Sequence, residues 1–499
     1  MGQQQQFGFW RGLLWPVHRS ESRKVGLMVS LLFLLCMSYS VMRNVKDTLI
    51  LTIEGGGAEA IPFLKVWGML PGALLATWAF THLARRLTRR QLFFTLISFY
   101  IGYYLTFAFV LYPINDHLTL TGLGQWLGEV LPAGASGAVA MLSHWNFSLF
   151  YVITELWGSL VLAVLFWGMA NDLSSVEEAK RTYGILNFGS NIAPVFGGYL
   201  VMLVCQPILG DLLQTSGWDL TIKQVSLLVS AFLAGGLFLF HRVCLLFPAV
   251  ANQTIEGRSA SKKRNRMGVL AAAKTVMQDP YLLSLALVVL GFNISINLAD
   301  LAWKDQLRKL MRDPNEMLDH MSSITVLIGV IATACAVTFA PLMRRFGWLR
   351  LAMVTPGVMT ASSLIFFGCR FGLADPLAVA LGMAPLVLTV FAGSLQNALS
   401  KGCKYCIFDA TKEMAFLPLD EERRARGKSA IDGLGSGLGK SGASLMTQGL
   451  ILVAGSLSAA SPAIAAILGV ILVSWMVAVR RLGRGFAENQ STPLEAETS

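Results

Sequence analysis

Apolar runs of about twenty residues recur along this chain from Val25 to Val479, each long enough to cross a ~30 Å hydrocarbon core as a helix. A bilayer offers the backbone no water to bond with, so a span must be a helix or part of a closed barrel. Runs this long and continuous select helices. Composition agrees: of 499 residues, 54% are hydrophobic and only 14% charged, with mean hydropathy +0.58, whereas soluble chains carry roughly a quarter charged residues. The expected class is an all-α polytopic membrane protein. The apolar run after Lys24 feeds into a charged helix end, so it reads as a first span and not a cleaved leader.

Spans are expected from Val25 through Asp47, then at 61–84, 91–112, 142–173, 179–204 and 224–247. A second set follows at 281–304, 323–343, 348–367, 376–414, 427–453 and 461–479. Twelve transmembrane helices put both termini on one side. The tails and loops of that side hold about two dozen Lys and Arg against about six opposite, which makes both termini cytoplasmic in a bacterial inner (cytoplasmic) membrane. The chain then divides into a tail (1–24), a six-helix half (25–250), a basic linker (251–280), a second six-helix half (281–480) and a C-terminal tail (481–499), polar and without packed structure. The halves resemble each other. LARRL at 83–87 recurs as LMRRF at 342–346, Lys46-Asp47 recurs as Lys304-Asp305, and EEAKR at 177–181 recurs loosely as EERR at 421–424. Three matches in order support a six-plus-six, major-facilitator-like repeat with substrate between the halves near the midplane.

Charge inside the spans points to the cargo. An ionised side chain at bilayer depth costs at least ~2.5–3.5 kcal/mol, so such residues normally line a water-filled path. The cations Arg43, Lys46, Lys304, Lys401, Lys404, Lys412, Lys428 and Lys440 outnumber the anions Asp47, Glu155, Asp300, Asp409, Glu413 and Asp432, as expected of a protein that moves something negative. Arg43 and Asp47, Asp300 and Lys304, and Lys428 and Asp432 stand four apart, on one helix face. The plain alternative is that each pair only neutralises itself, which still leaves cations in excess. Lys404 and Lys412 share a face with Phe408 between them, a surface suited to a phosphate and an aromatic base. Tyr405, Trp157 and Trp303 are further candidates for stacking on a base, although such rings more often pack. Glu155 has no cation within a turn, so it must be protonated or paired across helices, and it is a candidate for coupling. Lys65 is read as snorkelling to the interface.

Other chemistries lack support. Cys403 and Cys406 form one C-x-x-C with no second pair or nearby histidine, so neither a metal site nor a cofactor is expected. The glycine run ending Gly439-Lys440-Ser441 misses the P-loop pattern, because Leu434 stands where it needs glycine. Its overlapping G-x-x-x-G spacings suit close helix packing. No soluble basic face suggests nucleic-acid binding, no catalytic residue is expected, and a monomer is the default.

Several segments resemble the nucleotide transporter family of ADP/ATP carriers of plastids and intracellular bacteria, which is distinct from the mitochondrial carrier. They are RNVKDTL at 43–49, AEAIPF at 58–63, ELWGS at 155–159, FWGMAN at 166–171, Trp303-Lys304, KEMAFLPL at 412–419, GKSAID at 427–432 and GKSG at 439–442. The resemblance implies twelve helices and nucleotide transport, with Lys46, Glu155, Asp300 and Lys440 matching charges the family needs. Asp300 stands where the family usually carries Glu. The implied function is ATP/ADP exchange by alternating access, importing ATP. Proton-coupled import of ATP, GTP, CTP or UTP is the alternative, with Glu155 or Asp300 titrating. The candidate substrate-binding set is Lys46, Glu155, Asp300, Lys440, Arg43, Lys404, Lys412, Lys304 and Asp409.

Overall fold

The computed structural model describes residues 17–248 (except 207, 209 and 214), 274, 276–431 and 436–496. Among these residues there is no strand, and nine helices are long and apolar enough to cross a membrane. The first half comprises α1 (Arg19–Leu51), α2 (Ala60–Arg86), α3 (Arg89–Leu111), α4 (Trp145–Leu173), α5 (Val176–Val204) and α6 (Gly217–Leu246). In the second half α7 (Pro280–Leu310) is followed by a helical stretch, Pro314–Leu381, of 68 residues. At ~1.5 Å per residue that is far longer than a bilayer is thick. It divides at Gly347, whose φ of 75° and ψ of 171° are not helical, into α8 (314–346) and α9 (348–370), and breaks again at Phe371 and Gly372 (φ 120°) before a short helix, Ala374–Leu381. Then come α10 (Pro385–Cys403, continued by a π-turn, Lys404–Phe408, into Asp409–Met414), α11 (Ser436–Ala454) and α12 (Leu457–Ala496).

Local sequence sets the helix starts. Thr88 with Gln91, and Ser175 with Glu178, form capping boxes. Asp279 and Asp313 cap α7 and α8, each with proline at the first helical position. Two expected boundaries move. Gly382 closes a helix in the left-handed conformation (φ 65°) and Pro385 opens the next, so the span expected at 376–414 starts at Pro385. The last helix runs on to Ala496 through the segment read as an unstructured tail, anchored by Phe486, whose ring stacks on Trp348 at 4.9 Å.

Large apolar side chains such as Leu74, Leu75, Trp78, Leu364, Val379 and Val453 lie exposed on the outer surface. On a soluble protein that would be a sticky patch, whereas here it is the lipid-facing wall. The halves meet closely along α5 and α8. A Cβ on Gly198 would stand 2.6 Å from Val326 and 2.8 Å from the Ser322 carbonyl, so only glycine permits this approach.

One end of the bundle is sealed between the halves. The Arg308 guanidinium donates to the carbonyls of Gly56 and Ile53, Glu59 accepts the Leu457 amide at 2.7 Å, and Gln448 donates to the Pro62 carbonyl at 2.8 Å. At the other end, several ion pairs each lie within one half. Lys24–Glu178, Arg181–Glu21 and Arg89–Asp172 tie the first half, and Arg423–Asp279 and Lys428–Glu413 tie the second.

Candidate functional site

A cavity of about 500 Å³ lies between the halves. Its lining comes from α1 (Tyr39, Arg43, Asn44, Asp47), α5 (Asn187, Ser190, Asn191, Pro194), α7 (Trp303, Lys304), α8 (Met321, Thr325, Ile328) and α10 (Asn397, Lys401, Lys404, Tyr405, Asp409). Most of these residues sit at mid-helix or toward the unsealed end.

Beneath the lining runs a chain of alternating charge. Glu155 on α4 meets Lys46 at 3.0 Å, and Lys46 meets Asp47 at 2.9 Å. Asp47 accepts from Lys304 at 2.8 Å, which crosses from the first half to the second. Lys304 meets Asp300 at 2.9 Å, and Asp300 accepts from Lys401 at 2.8 Å and from the Asn397 amide at 2.7 Å. The Lys46 ammonium also lies 3.8 Å from the centre of the Tyr151 ring, a cation–π contact. Lys46, Asp47 and Lys304 are each 5% exposed or less. Burying such charges costs several kcal/mol per ion unless each is paired, and alternation supplies the pairing.

The wider set is still positive. Arg43, Lys46, Lys65, Lys304, Lys401 and Lys404 face four carboxylates among the described residues, Asp47, Glu155, Asp300 and Asp409, a surplus of two. Arg43 and Tyr405 line the cavity together, and Lys404 reaches Asp409 at 3.3 Å. A polyanion entering this cavity finds donors whose present partners it can replace.

Lys46, Glu155, Asp300 and Lys304 thus come together in one network, and Arg43, Lys304, Lys404 and Asp409 line the cavity. Lys412 does not join them. The π-turn at Lys404–Phe408 adds a residue to the turn, so Lys404 and Lys412 no longer share a face. Lys412 pairs with Glu413 at 3.2 Å, while Phe408 is buried against Phe292 at 4.4 Å. The phosphate-and-base surface expected there is absent. Trp157 is likewise core, edge-on to Tyr100, whereas Tyr405 and Trp303 reach the cavity. The side chain of Lys440, with Asp432 and most of the glycine run, lies outside the described residues. Glu155 is not isolated, since Lys46 supplies its partner across helices. Lys65 does not snorkel; it donates to Asn297 of the other half at 2.7 Å. Sequence reasoning left Asn187, Asn191, Asn397 and Lys401 out of the candidate set. Their signal is polar residues three or four apart inside an apolar run. Among the described residues no group of three His, Cys, Asp or Glu is placed to hold a metal ion, and all seven cysteines are free thiols.

Two helical halves spanning a bilayer, with a polar, cation-rich cavity between them, define a secondary transporter of the major-facilitator-like kind. Two solved structures share this fold. A variant of the nucleoside transporter NupG matches with a TM-score of 0.54 at 14% identity, covering 91% of this chain and 99% of that one. A bacterial homologue of the iron transporter ferroportin in an inward-facing state matches at 0.54 and 17%, covering 92% and 100%. At such identity they speak only to fold.

The family model described as TLC ATP/ADP transporter matches residues 1–486, and the chain belongs to that family. It is a transporter and not an enzyme. ADP,ATP carrier protein 2 of Chlamydia trachomatis is 36% identical over 495 residues, covering 96% of this chain and 91% of that protein. The chloroplastic ADP,ATP carrier protein 1 of Arabidopsis thaliana is 37% identical over 483 residues, covering 95% and 74%.

Proposed function

We propose that this protein exchanges ATP for ADP by alternating access, importing ATP, as a twelve-span monomer of a bacterial inner membrane with both termini cytoplasmic. In this reading the halves are residues 25–250 and 281–480, joined by the linker 251–280. The observation that carries it is the Asp47–Lys304 contact between the halves, set in a cavity with two surplus cations. ATP carries about four negative charges, and its phosphates would compete with Asp47, Asp300 and Glu155 for Lys46, Lys304 and Lys401, with Arg43 and Lys404 completing the grip. Lys440 is retained as a phosphate contact from the family likeness.

The empty carrier does not leave its lysines bare, since three of them hold carboxylates. The surplus is what must be occluded when no nucleotide is bound, and occluding unpaired charge raises the barrier to switching. A loaded carrier carries its own counter-charge and switches readily in both directions. Because Glu155 and Asp300 are ion-paired, they serve here as counter-charges and not as the groups coupling import to protons.

The test is counterflow. Unlabelled external ATP should accelerate efflux of preloaded labelled ADP from liposomes holding the purified protein, with or without a protonophore. Efflux at the same rate without external nucleotide would overturn exchange, and uptake that collapses with the protonophore would replace it by proton coupling.

A further inference from the structure

Six arginines converge where α9 and α12 reach the unsealed end. α8 carries Arg344 and Arg345 to its turn at Gly347, Arg350 follows in the first turn of α9, and α12 brings Arg480, Arg481 and Arg484. All six are exposed. The two helices are fixed against each other at this level. A Cβ on Gly483 would stand 2.6 Å from Leu349, the Phe486 ring stacks on Trp348, and the Trp348 indole donates to the Thr411 carbonyl at 3.0 Å. Among the described residues no carboxylate is within ion-pairing distance of any of the six. Arg345 instead lies 5.4 Å over the ring of its neighbour Phe346, and Glu488, one turn beyond Arg484, has its side chain outside the described residues. The matching turn of the first half differs, since three of its four arginines are held by the protein. Arg89 pairs with Asp172, Arg90 meets the His241 ring at 3.4 Å, and Arg85 has a contact of its own. A general positive-inside bias accounts for charge at this end, but not for one turn being satisfied and its repeat left open.

The outer face of α12 supplies the chemistry of the missing partner. Val470, Val473 and Val477 are each 40% exposed or more and share the lipid-facing stripe of this helix. Arg480, Arg481 and Arg484 continue that stripe at steps of three and four residues. One face is thus apolar along the span and cationic one turn later, the same order as the tails and headgroup of a phospholipid. We propose that α9 and α12 form a binding site for an anionic phospholipid, its tails along the valine stripe and its phosphate among the arginines of both helices. Guanidinium groups match phosphate oxygens in bidentate geometry, and basic clusters at helix ends bind anionic headgroups. Both helices belong to the second half, so the lipid stays bound while the halves rock.

The experiment uses the full-length protein, stripped of lipid in a neutral detergent. Dioleoyl phosphatidylglycerol or dioleoyl phosphatidylcholine is added, and bound lipid is counted by native mass spectrometry. Wild-type protein should hold phosphatidylglycerol at least about tenfold more tightly than phosphatidylcholine. The triple variant Arg350→Gln, Arg480→Gln, Arg481→Gln should lose that preference. A control triple in the first half, Arg86→Gln, Arg90→Gln, Arg242→Gln, removes the same charge and should keep the preference within about twofold of wild type. Equal losses in the two triples would assign the effect to overall charge and overturn the inference, as would a wild type without preference. Displacement of the lipid by excess inorganic phosphate would mark a free-anion site and overturn it too. Thermal unfolding is the second readout: phosphatidylglycerol should raise the Tm of wild type and of the control triple, but not that of the α9–α12 triple. A rise of the same size in all three proteins overturns the inference.

Discussion

Asp47 of α1 and Lys304 of α7 meet at 2.8 Å across the boundary between the halves. They are the middle link of the charge chain that starts at Glu155 and ends at Lys401. A direct ion pair between halves that must rock against one another ties the closed network to the transport cycle.

Asp47→Asn should destabilise the protein by about 3 kcal/mol, the low end for breaking a buried pair, since Lys46 keeps Glu155 and Lys304 keeps Asp300. Adding Lys304→Met leaves Lys46 with Glu155 and Lys401 with Asp300, each charge again paired. The double variant should therefore be no less stable than Asp47→Asn alone. Thermal unfolding in detergent checks this, and two additive decrements would refute the coupling.

Lys404 lines the cavity mouth, where it reaches Asp409 at 3.3 Å and lies 4.4 Å from the centre of the Tyr405 ring. Lys404→Gln should raise the KM for ATP roughly tenfold on the side that mouth faces, one hydrogen bond to a charged group being worth about 1.5–3 kcal/mol. The effect should be smaller for ADP, which brings one phosphate fewer. Equal shifts for the two nucleotides would place Lys404 away from the terminal phosphate.

At the sealed end Gly57 has φ of 109°, and the Arg308 guanidinium occupies the place a Cβ would take. Gly57→Ala should weaken that seam by about 1–2 kcal/mol, the cost of left-handed backbone for a residue with a Cβ. The population then shifts toward the state open there. Faster labelling of Thr52→Cys by an impermeant maleimide in the Gly57→Ala background is the expected outcome, and an unchanged rate would show that the seam tolerates the methyl group.

Asp279 caps α7 outside the spans. Burial pushes its carboxyl up, but hydrogen bonds from Arg423 and from the Tyr281 and Leu282 amides outweigh that and hold it below the usual range. A depressed carboxylate stabilises the fold above its unfolded value of about 3.9 and loses that contribution as pH falls through the folded value. Asp279→Ala should cost about 1 kcal/mol at pH 7 through removal of the cap. The gap to wild type should narrow below about pH 4. A gap independent of pH would assign the effect to packing.

Much of the architecture was legible in the chain, because bilayer thickness fixes helix length and buried charge is too costly to be accidental. The apolar runs located the helices, and the charges within them put Lys46, Glu155, Asp300 and Lys304 among the candidates, without showing that the four join in one network. Where the reading failed, the cause was local geometry that periodicity does not carry. The π-turn at Lys404–Phe408 turned Lys412 and Phe408 away from Lys404, and a regular 3.6-residue period cannot anticipate it. Lys65 looked like an interfacial lysine by its place in its span, yet its partner Asn297 lies 232 positions along the chain.

The sequence by itself determined that this is a helical membrane protein of two similar halves with an excess of cations at depth, since hydrophobic length, internal repetition and charge are properties of the chain. Only the tertiary structure decided which carboxylate each lysine holds, that Asp47 and Lys304 join the halves, and which end is sealed. Those are distances between residues far apart in sequence. Packing sets them, through glycine contacts such as Gly198 against Ser322 and Val326, and a pattern read along one helix does not contain them.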